Sequence, residues 1–494
     1  MRKLLSIILL SIVFFTISCR KEQQFSDNPS KNISLSTDTI AFDTVFTSIG
    51  SSTKILMVYN DNSDNLKINS IRLEKGASSP YSINVDGQSG TAFSDKEIYA
   101  KDSLYIFVKV TINPNDDNNP FFVEDRLIFN TNGNEKTVNL CAYGQNAHYI
   151  IGRKGIFPDQ NGHYTNYYVA ITDSVNTDVH WTAEKPYVIY NVALIDSDGT
   201  LTIDPGTHVY FHKGAGLWAW SEGQLIVNGT AANPVVFQGD RLESFYDNQP
   251  GQWDRIWLME AREGHGHVID HAIIRNGFIG LQVQRMLKDN MEAMYIRNTI
   301  IENHTGMGVY ANCYSIGMSN LLVNNCGSHC IALTGGGEYL ITHSTIANYW
   351  TGSTRKAEAL IFNNLYTDPT DLEGLTYVVP FECDVINSIV YGNKSNEVGS
   401  SFYPVNDTTY KFKNSLICTQ RPQLTQLYEQ CTFNKDPKFK NTANFDFHID
   451  TLSAAIGIAN PCYSIGDLRF DLDGIDRGDR PDAGAYQYIY NPER

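Results

Sequence analysis

Beyond its first residues the chain has no apolar run long enough to cross a bilayer, so everything after them is expected to be water-soluble. It is also short of positive charge: 38 Lys and Arg stand against 54 Asp and Glu, a formal net charge of −16. That balance argues against a nucleic-acid partner, and against polyanions except where a local basic groove exists. No amphipathic stretch of helical period occurs, which excludes helical repeats, and the Leu-x-x-Leu-x-Leu framework of a leucine-rich repeat is missing. Cys326 and Cys330 flank His329 but have no second Cys/His pair at zinc spacing, so no metal site is expected. Nine cysteines leave eight once Cys19 is set aside, and an even number in an exported protein would permit disulfides. Cys313, Cys326 and Cys330 lie within repeats where small apolar thiols pack well, and mostly free, buried thiols are expected.

The chain opens on Arg2 and Lys3, then an apolar run from Leu4 to Phe15 broken only by Ser6 and Ser11. This is the pattern of an export signal. It ends in Thr16-Ile17-Ser18-Cys19, which resembles a bacterial lipobox, with Thr16 where Leu is usual. The resemblance implies that residues 1–19 are a lipoprotein signal and that Cys19 becomes the lipidated first residue. The partner is then a membrane, and the location is the envelope of a Gram-negative bacterium, as a surface-exposed outer-membrane lipoprotein. Acyl chains contribute roughly 0.8 kcal/mol per buried CH₂, so several together hold a soluble domain firmly. Residues 20–32 are polar and read as a flexible tether.

From 33 to 146 short alternating segments predict antiparallel strands: Thr39 to Phe46, Lys54 to Asn60, Leu66 to Leu73, Ser103 to Ile112, Arg126 to Asn130 and Lys136 to Tyr143. Their order and the Asn-rich turn after Asn60 resemble immunoglobulin-like modules of bacterial surface proteins. The resemblance implies a β-sandwich acting as spacer or docking domain.

After a connector and N-terminal cap at 147–185 comes the strongest signal, from 186 to 470. In Asp198 to Phe211 the alternating Leu201, Ile203, Val209 and Phe211 are expected to point inward, with Asp204-Pro205-Gly206 turning a corner. One unit then recurs, starting at His271, Asn298, Asn320, His343, Asn387 and Asn414, at intervals of 27, 22, 23, 44 and 27 residues. The 44 is read as two coils of 22, giving about twelve coils in all. Each coil exposes an apolar face that only stacking can bury. Asn276, Asn303, Asn325 and Asn348 are assigned to left-handed corners, where they bond their stacked equivalents. The pairing of "Leu-x-Ile-x-Pro-Gly-Thr" with "Leu-x-Val-x-Gly-Thr" resembles right-handed parallel β-helix proteins of the pectate-lyase-like superfamily. The fold class is therefore all-β: a right-handed parallel β-helix solenoid preceded by an immunoglobulin-like β-sandwich.

Residues 471–494 carry Asp471, Asp473, Gly474, Asp476, Arg477, Asp479, Arg480, Asp482, Gly484 and Tyr486. The run resembles the closing motif of secreted bacterial β-helix proteins and is expected to cap the end of the solenoid. Its carboxylates allow calcium, although the order departs from an EF-hand, and salt bridges with Arg477 and Arg480 are the other reading. No other cofactor is implied.

The superfamily resemblance implies work on acidic polysaccharides, by lyases that use a basic residue or by hydrolases that use paired carboxylates. The hydrolase set is absent; Asn176-Thr177-Asp178 occurs alone. For a lyase the candidates are His265, His267, Asp270, His271, Arg275 and Arg297, with Glu302 and His304 one coil on. His271 and His343 stand where other units have Asn, which favours corners over catalysis. Trp218, Trp220, Tyr246, Trp253 and Trp257 form an aromatic-rich patch that suits either sugar stacking or plugging of the flank. The leading expectation is a surface lipoprotein whose solenoid flank binds a polysaccharide or another surface macromolecule; the alternative is a polysaccharide lyase or other carbohydrate-active enzyme on the same scaffold.

Overall fold

A computed structural model describes residues 24–114, 121–155, 162–163, 167–172, 177–285, 292–367, 375–404 and 410–489. The export signal, Cys19 and Asn176 lie outside them. The chain forms two compact units, 1–146 and 147–494, each with its own apolar core.

The first unit is a sandwich of a six-stranded and a five-stranded sheet. Alternation decides the facing: in Thr39–Phe46 and Asn65–Leu73, Ile40, Phe42, Leu66 and Ile68 are buried and their neighbours mostly are not. Pairing is antiparallel except that Thr39–Phe46 runs parallel to Asn134–Gln145, and Phe25–Ser26 parallel to Asn65–Leu66. The second exception corrects the expected tether. Residues from Phe25 onward belong to the sandwich, the Phe25 ring lying 5.4 Å from the Lys67 ammonium and Asn132 bonding the carbonyls of Asn28 and Lys31.

The second unit is all-β with long parallel sheets, a β-helix-like solenoid. Its strands recur in three rows per turn. A first ladder runs from Tyr167–Ala170 through Val192–Ile195 and Gly216–Ala219 to Val398–Ser401. A second runs from Asp178–Trp181 through Thr200–Ile203 and Val268–Asp270 to Tyr428–Glu429. A third of eleven strands runs from His148–Ile151 to Thr432–Phe433. Strand stacking thus begins well before residue 186 and ends before 470. Leu201, Ile203, Val209 and Phe211 all point into the continuous core, as alternation requires.

The 44-residue interval is not two coils. Thr345–Asn348 pairs directly with Ile389–Gly392, so it is one coil enlarged by insertions. One is the hairpin of Leu365–Thr367 and Thr376–Val378. The other, after Trp350, is pinned by the fully buried Arg355 guanidinium, which bonds both oxygens of Glu397 at 2.6 and 2.8 Å.

Corner chemistry follows the repeat. His271, Asn298, Asn320, His343, Asn387 and Asn414 all have φ near +50°, where Asn is favoured over most residues. Their side chains bond one another down the stack, Asn320 to Asn298 and Asn387 to His343. Asn276, Asn303 and Asn325 form a second such column, each link 2.7 Å. Asn348 departs from it: its side chain turns inward and bonds Cys326 N–H and C=O.

The C-terminal segment does not plug the last coil. It doubles back and covers the outer side of the third ladder. Phe447, Ala485 and Tyr486 pack on Leu322 and Ala347, and Ile449, Ala455 and Ala483 on Ile389 and Leu416. The physical cause is in the repeat itself, whose consecutive apolar pairs such as Leu322-Val323 and Ile389-Val390 face both inward and outward. The segment is buttoned to the corner column: Asn387 exchanges bonds with the backbone of Asn460, and Asn320 accepts from Arg477 at 3.0 Å. Asp471 and Asp482 spend their oxygens on backbone N–H groups around the almost fully buried Arg477. All eight described cysteines are free thiols.

Candidate functional site

The six expected catalytic residues do not converge as a set: Asp270, His271 and Arg297 meet, and His265, His267 and Arg275 stand apart. His267 lies in the core, accepting from Leu225 N–H at Nδ1 (3.1 Å) and donating from Nε2 to the Met259 carbonyl (2.7 Å). Burial pushes its pKa down to about 4, so it is a neutral crosslink shut off from substrate. His304 repeats the device one coil on, with Gly277 N–H and the Ile274 carbonyl, and also falls to about 4 through burial. His265 sits exposed on a turn, its backbone N–H bonded to Arg262.

Asp270, His271 and Arg297 meet at the corner between the second and third ladders. His271 Nδ1 is 2.7 Å from Asp270, and Asn298 donates to the same carboxylate at 2.9 Å. Burial opposes ionisation of Asp270, but the bonds from His271 and Asn298 prevail and hold its pKa below the usual range. Arg297 stands in register with Asp270 and covers the Tyr295 ring at 4.9 Å. The geometry is that of a stacked corner.

Arg275 is elsewhere, on the outer side of the third ladder. Its Nε and Nη2 both donate to Gln238 Oε1, at 2.8 and 2.5 Å. Next in register is Glu302, whose pKa burial raises despite a bond from Asn324 and the nearby Arg275. His208 and Tyr210 precede them, their rings stacked at 5.9 Å. The residue before each corner Asn in the repeat (Arg275, Glu302, Asn324) is the outward one, a register signal that a search for spaced catalytic sets passes over.

The aromatic patch divides. Trp253 is interior, stacked on Phe211 at 4.3 Å with its indole N–H on the Arg275 carbonyl, so it plugs the core and is no ligand platform. Trp218 and Trp257 are in register on the outer side of the first ladder, edge to face at 4.8 Å. Trp218 is only 5% exposed, while Trp257 and Trp220 are half-buried. Beside Trp257, Arg255 bonds Asp254 and Gln282, which in turn bonds Gln284. Tyr246 lies on the loop after Asp240, its ring 4.0 Å from the Arg241 guanidinium. Asn276 and Asn303 fasten that loop through the carbonyls of Asp247 and Asn248.

A separate cleft of about 400 Å³ is lined by Arg285, Ser315, Glu338, Pro380 and Glu382. Among the described residues no group of three or more His, Cys, Asp or Glu has metal-holding geometry.

No family model and no curated protein matches the chain. Among solved structures, a family 123 glycoside hydrolase from Clostridium perfringens, described for glycolipid glycan hydrolysis, is 9% identical over 24% of this chain and 30% of its own, with a TM-score of 0.18. The E. coli chaperone DraB is 11% identical over 24% of this chain and 55% of its own (TM-score 0.17). The Vibrio cholerae protease VesB is 12% identical over 23% and 31% (TM-score 0.16). This chain spans between about a third and about half of those chains, and likenesses so slight assign it neither fold nor chemistry.

Proposed function

We propose that the protein is a lipid-anchored envelope component in which an immunoglobulin-like module carries a right-handed parallel β-helix whose flank binds a glycan. The observation that carries this reading is the outer row of the first ladder. There the half-buried Trp257 offers part of an aromatic face beside the polar chain of Asp254, Arg255, Gln282 and Gln284. An aromatic face next to fixed amide and charged groups suits a sugar ring, which has an apolar side and a hydroxylated rim. Trp220 and the in-register Trp218 pack with Trp257 in one apolar cluster. Catalysis gains no support, since a lyase or hydrolase needs base, charge neutraliser and substrate to meet within a few ångströms. Here His267 is sealed in the core, and Asp270 and Arg275 lie on different ladders.

The test is a panel of neutral and acidic polysaccharides set in native gels, through which the chain lacking residues 1–19 is run. Retardation by at least one glycan is expected, and Trp257→Ala is expected to weaken it about tenfold, on the order of 1.4 kcal/mol. No retardation on any glycan would overturn the reading. Release of unsaturated product absorbing in the ultraviolet would replace it with a lyase.

A further inference from the structure

The outer face of the five-stranded sheet in the first unit is apolar where a wet sheet face ordinarily carries polar residues. In Lys54–Tyr59 and Ser103–Val110, Leu56, Val58, Ile106 and Val108 turn into the sandwich core, so alternation turns Ile55, Met57, Tyr105 and Phe107 outward. Ile55 pairs with Phe107 and Met57 with Tyr105, which makes one continuous strip. Ile55, Tyr105 and Phe107 are 54, 52 and 40% exposed. Along the edge of the strip Ser82, Asn84, Ser89 and Lys109 line a groove of about 490 Å³ with Phe107. The strip starts at the end of the sandwich where the chain enters. Asn60, next after Tyr59, donates to the Tyr99 carbonyl at 3.0 Å, and the Phe25 ring lies 6.4 Å from the Tyr99 ring. Asn65 fixes the entry point by donating to the Gln24 carbonyl at 3.3 Å.

We infer that this strip rests on the lipid bilayer in which Cys19 is anchored, with Lys109 beside the headgroup phosphates. The inference rests on the lipid-anchor reading above and adds the surface that meets the membrane. Chain length argues for the bilayer as the occupant. Cys19 stands five residues before Gln24, a reach of at most about 18 Å. Packed sheets lie about 10 Å apart, so that reach brings the outer face of the five-stranded sheet down to the anchor. The other sheet also shows an exposed ring pair, Phe122 with Tyr143, but Phe122 is nine residues along the strand from Thr131, roughly 30 Å from the entry end and out of reach. Size argues against a second copy of the chain. The strip covers on the order of a few hundred Å², whereas each partner of a stable dimer buries about 800 Å². A contact that small holds only when something else keeps the two surfaces together, and a short leash does so at about millimolar effective concentration. Tyr and Phe suit the depth at which an apolar ring meets the headgroup layer.

The experiment returns the processed full chain, purified in detergent, to phosphatidylcholine vesicles and maps its side chains by hydroxyl-radical labelling read by mass spectrometry. Labelling of Met57, Tyr105 and Phe107 is expected to fall about fivefold relative to the chain lacking residues 1–19 in solution, while Phe122 and Tyr143 label equally in both. Ile55→Ser combined with Phe107→Ser changes only outward positions; this variant is expected to stay with the vesicles and to lose the protection at Met57 and Tyr105. Equal labelling of Met57 and Tyr105 in the two forms, or equal protection of both sheet faces, overturns the contact. So does protection already present in the soluble chain, which would assign the strip to a second copy. Flotation separates the two readings. A processed chain that floats with the vesicles but labels as in solution leaves the anchor standing without the contact, and one that does not float takes both down together.

Discussion

His267 shows how a residue type that signals chemistry can be architecture. Its two ring nitrogens bridge Leu225 N–H and the Met259 carbonyl inside the coil, and no part of the ring is exposed. His267→Ala is expected to leave a cavity and two unpaired backbone groups, costing about 2–4 kcal/mol. Denaturant unfolding measures that loss, and glycan binding per folded molecule is expected to stay unchanged; lost binding at native stability would return His267 to the site. Trp253 makes the same point among the aromatics, since sequence placed it in a patch and packing placed it against Phe211. A sequence shows that a ring is present; only the register of a strand shows which side of the sheet receives it. His267 turns into the core just before the second ladder's strand Val268–Asp270, whereas Arg275 lies on the outer side of the third ladder.

At the scale of the element, the ladders and their corners were legible because stacking repeats a residue type. His271, Asn298, Asn320, His343, Asn387 and Asn414 mark one corner column, all near φ +50°. The enlarged coil and the return of the C-terminal segment were not legible, because an insertion erases the period and a covering segment has none. The outward apolar residues of the third ladder were the available signal: Leu322, Ile389 and Leu416 would be wet without Phe447, Ile449 and Ala483. Asn387 carries much of that contact, bonding Asn460 N–H, the Asn460 carbonyl and His343. Asn387→Ala removes these bonds and leaves alanine in a left-handed conformation that disfavours it by roughly 1–2 kcal/mol. Hydrogen exchange is expected to accelerate over 455–485 while the core strands stay protected. Uniform protection would show that the segment is held by its apolar contacts alone. His448 is a second fastening, its nitrogens 2.6 Å from Asp446 and 2.7 Å from Asp473, an arrangement that favours the imidazolium. The bond to Asp473 outweighs burial and raises its pKa. Its contribution is therefore complete below the ordinary histidine range and lost as pH rises through the raised value.

The whole molecule divides its histidines unevenly, and that gives a test of its organisation. All twelve follow residue 146, so the sandwich has none. In the solenoid, burial holds His267 and His304 near 4, against an ordinary value of 6.5, and lowers His343 and His329 as well. A histidine whose folded pKa is depressed contributes stability that is complete above 6.5 and is lost as pH falls toward the folded value. At pH 5 the loss from His267 and His304 is about 2 kcal/mol each by linkage, with His448 opposing it through its opposite sign. Calorimetry of the chain lacking residues 1–19 is expected to resolve two transitions, one for each separately cored unit. Lowering the pH from 7 to 5 is expected to bring the solenoid transition down by several degrees and to leave the sandwich in place, because the sandwich carries no histidine. A single transition would mean that the units unfold together despite their separate cores. Two transitions that both hold still would mean that the buried imidazoles reach water before the coils come apart.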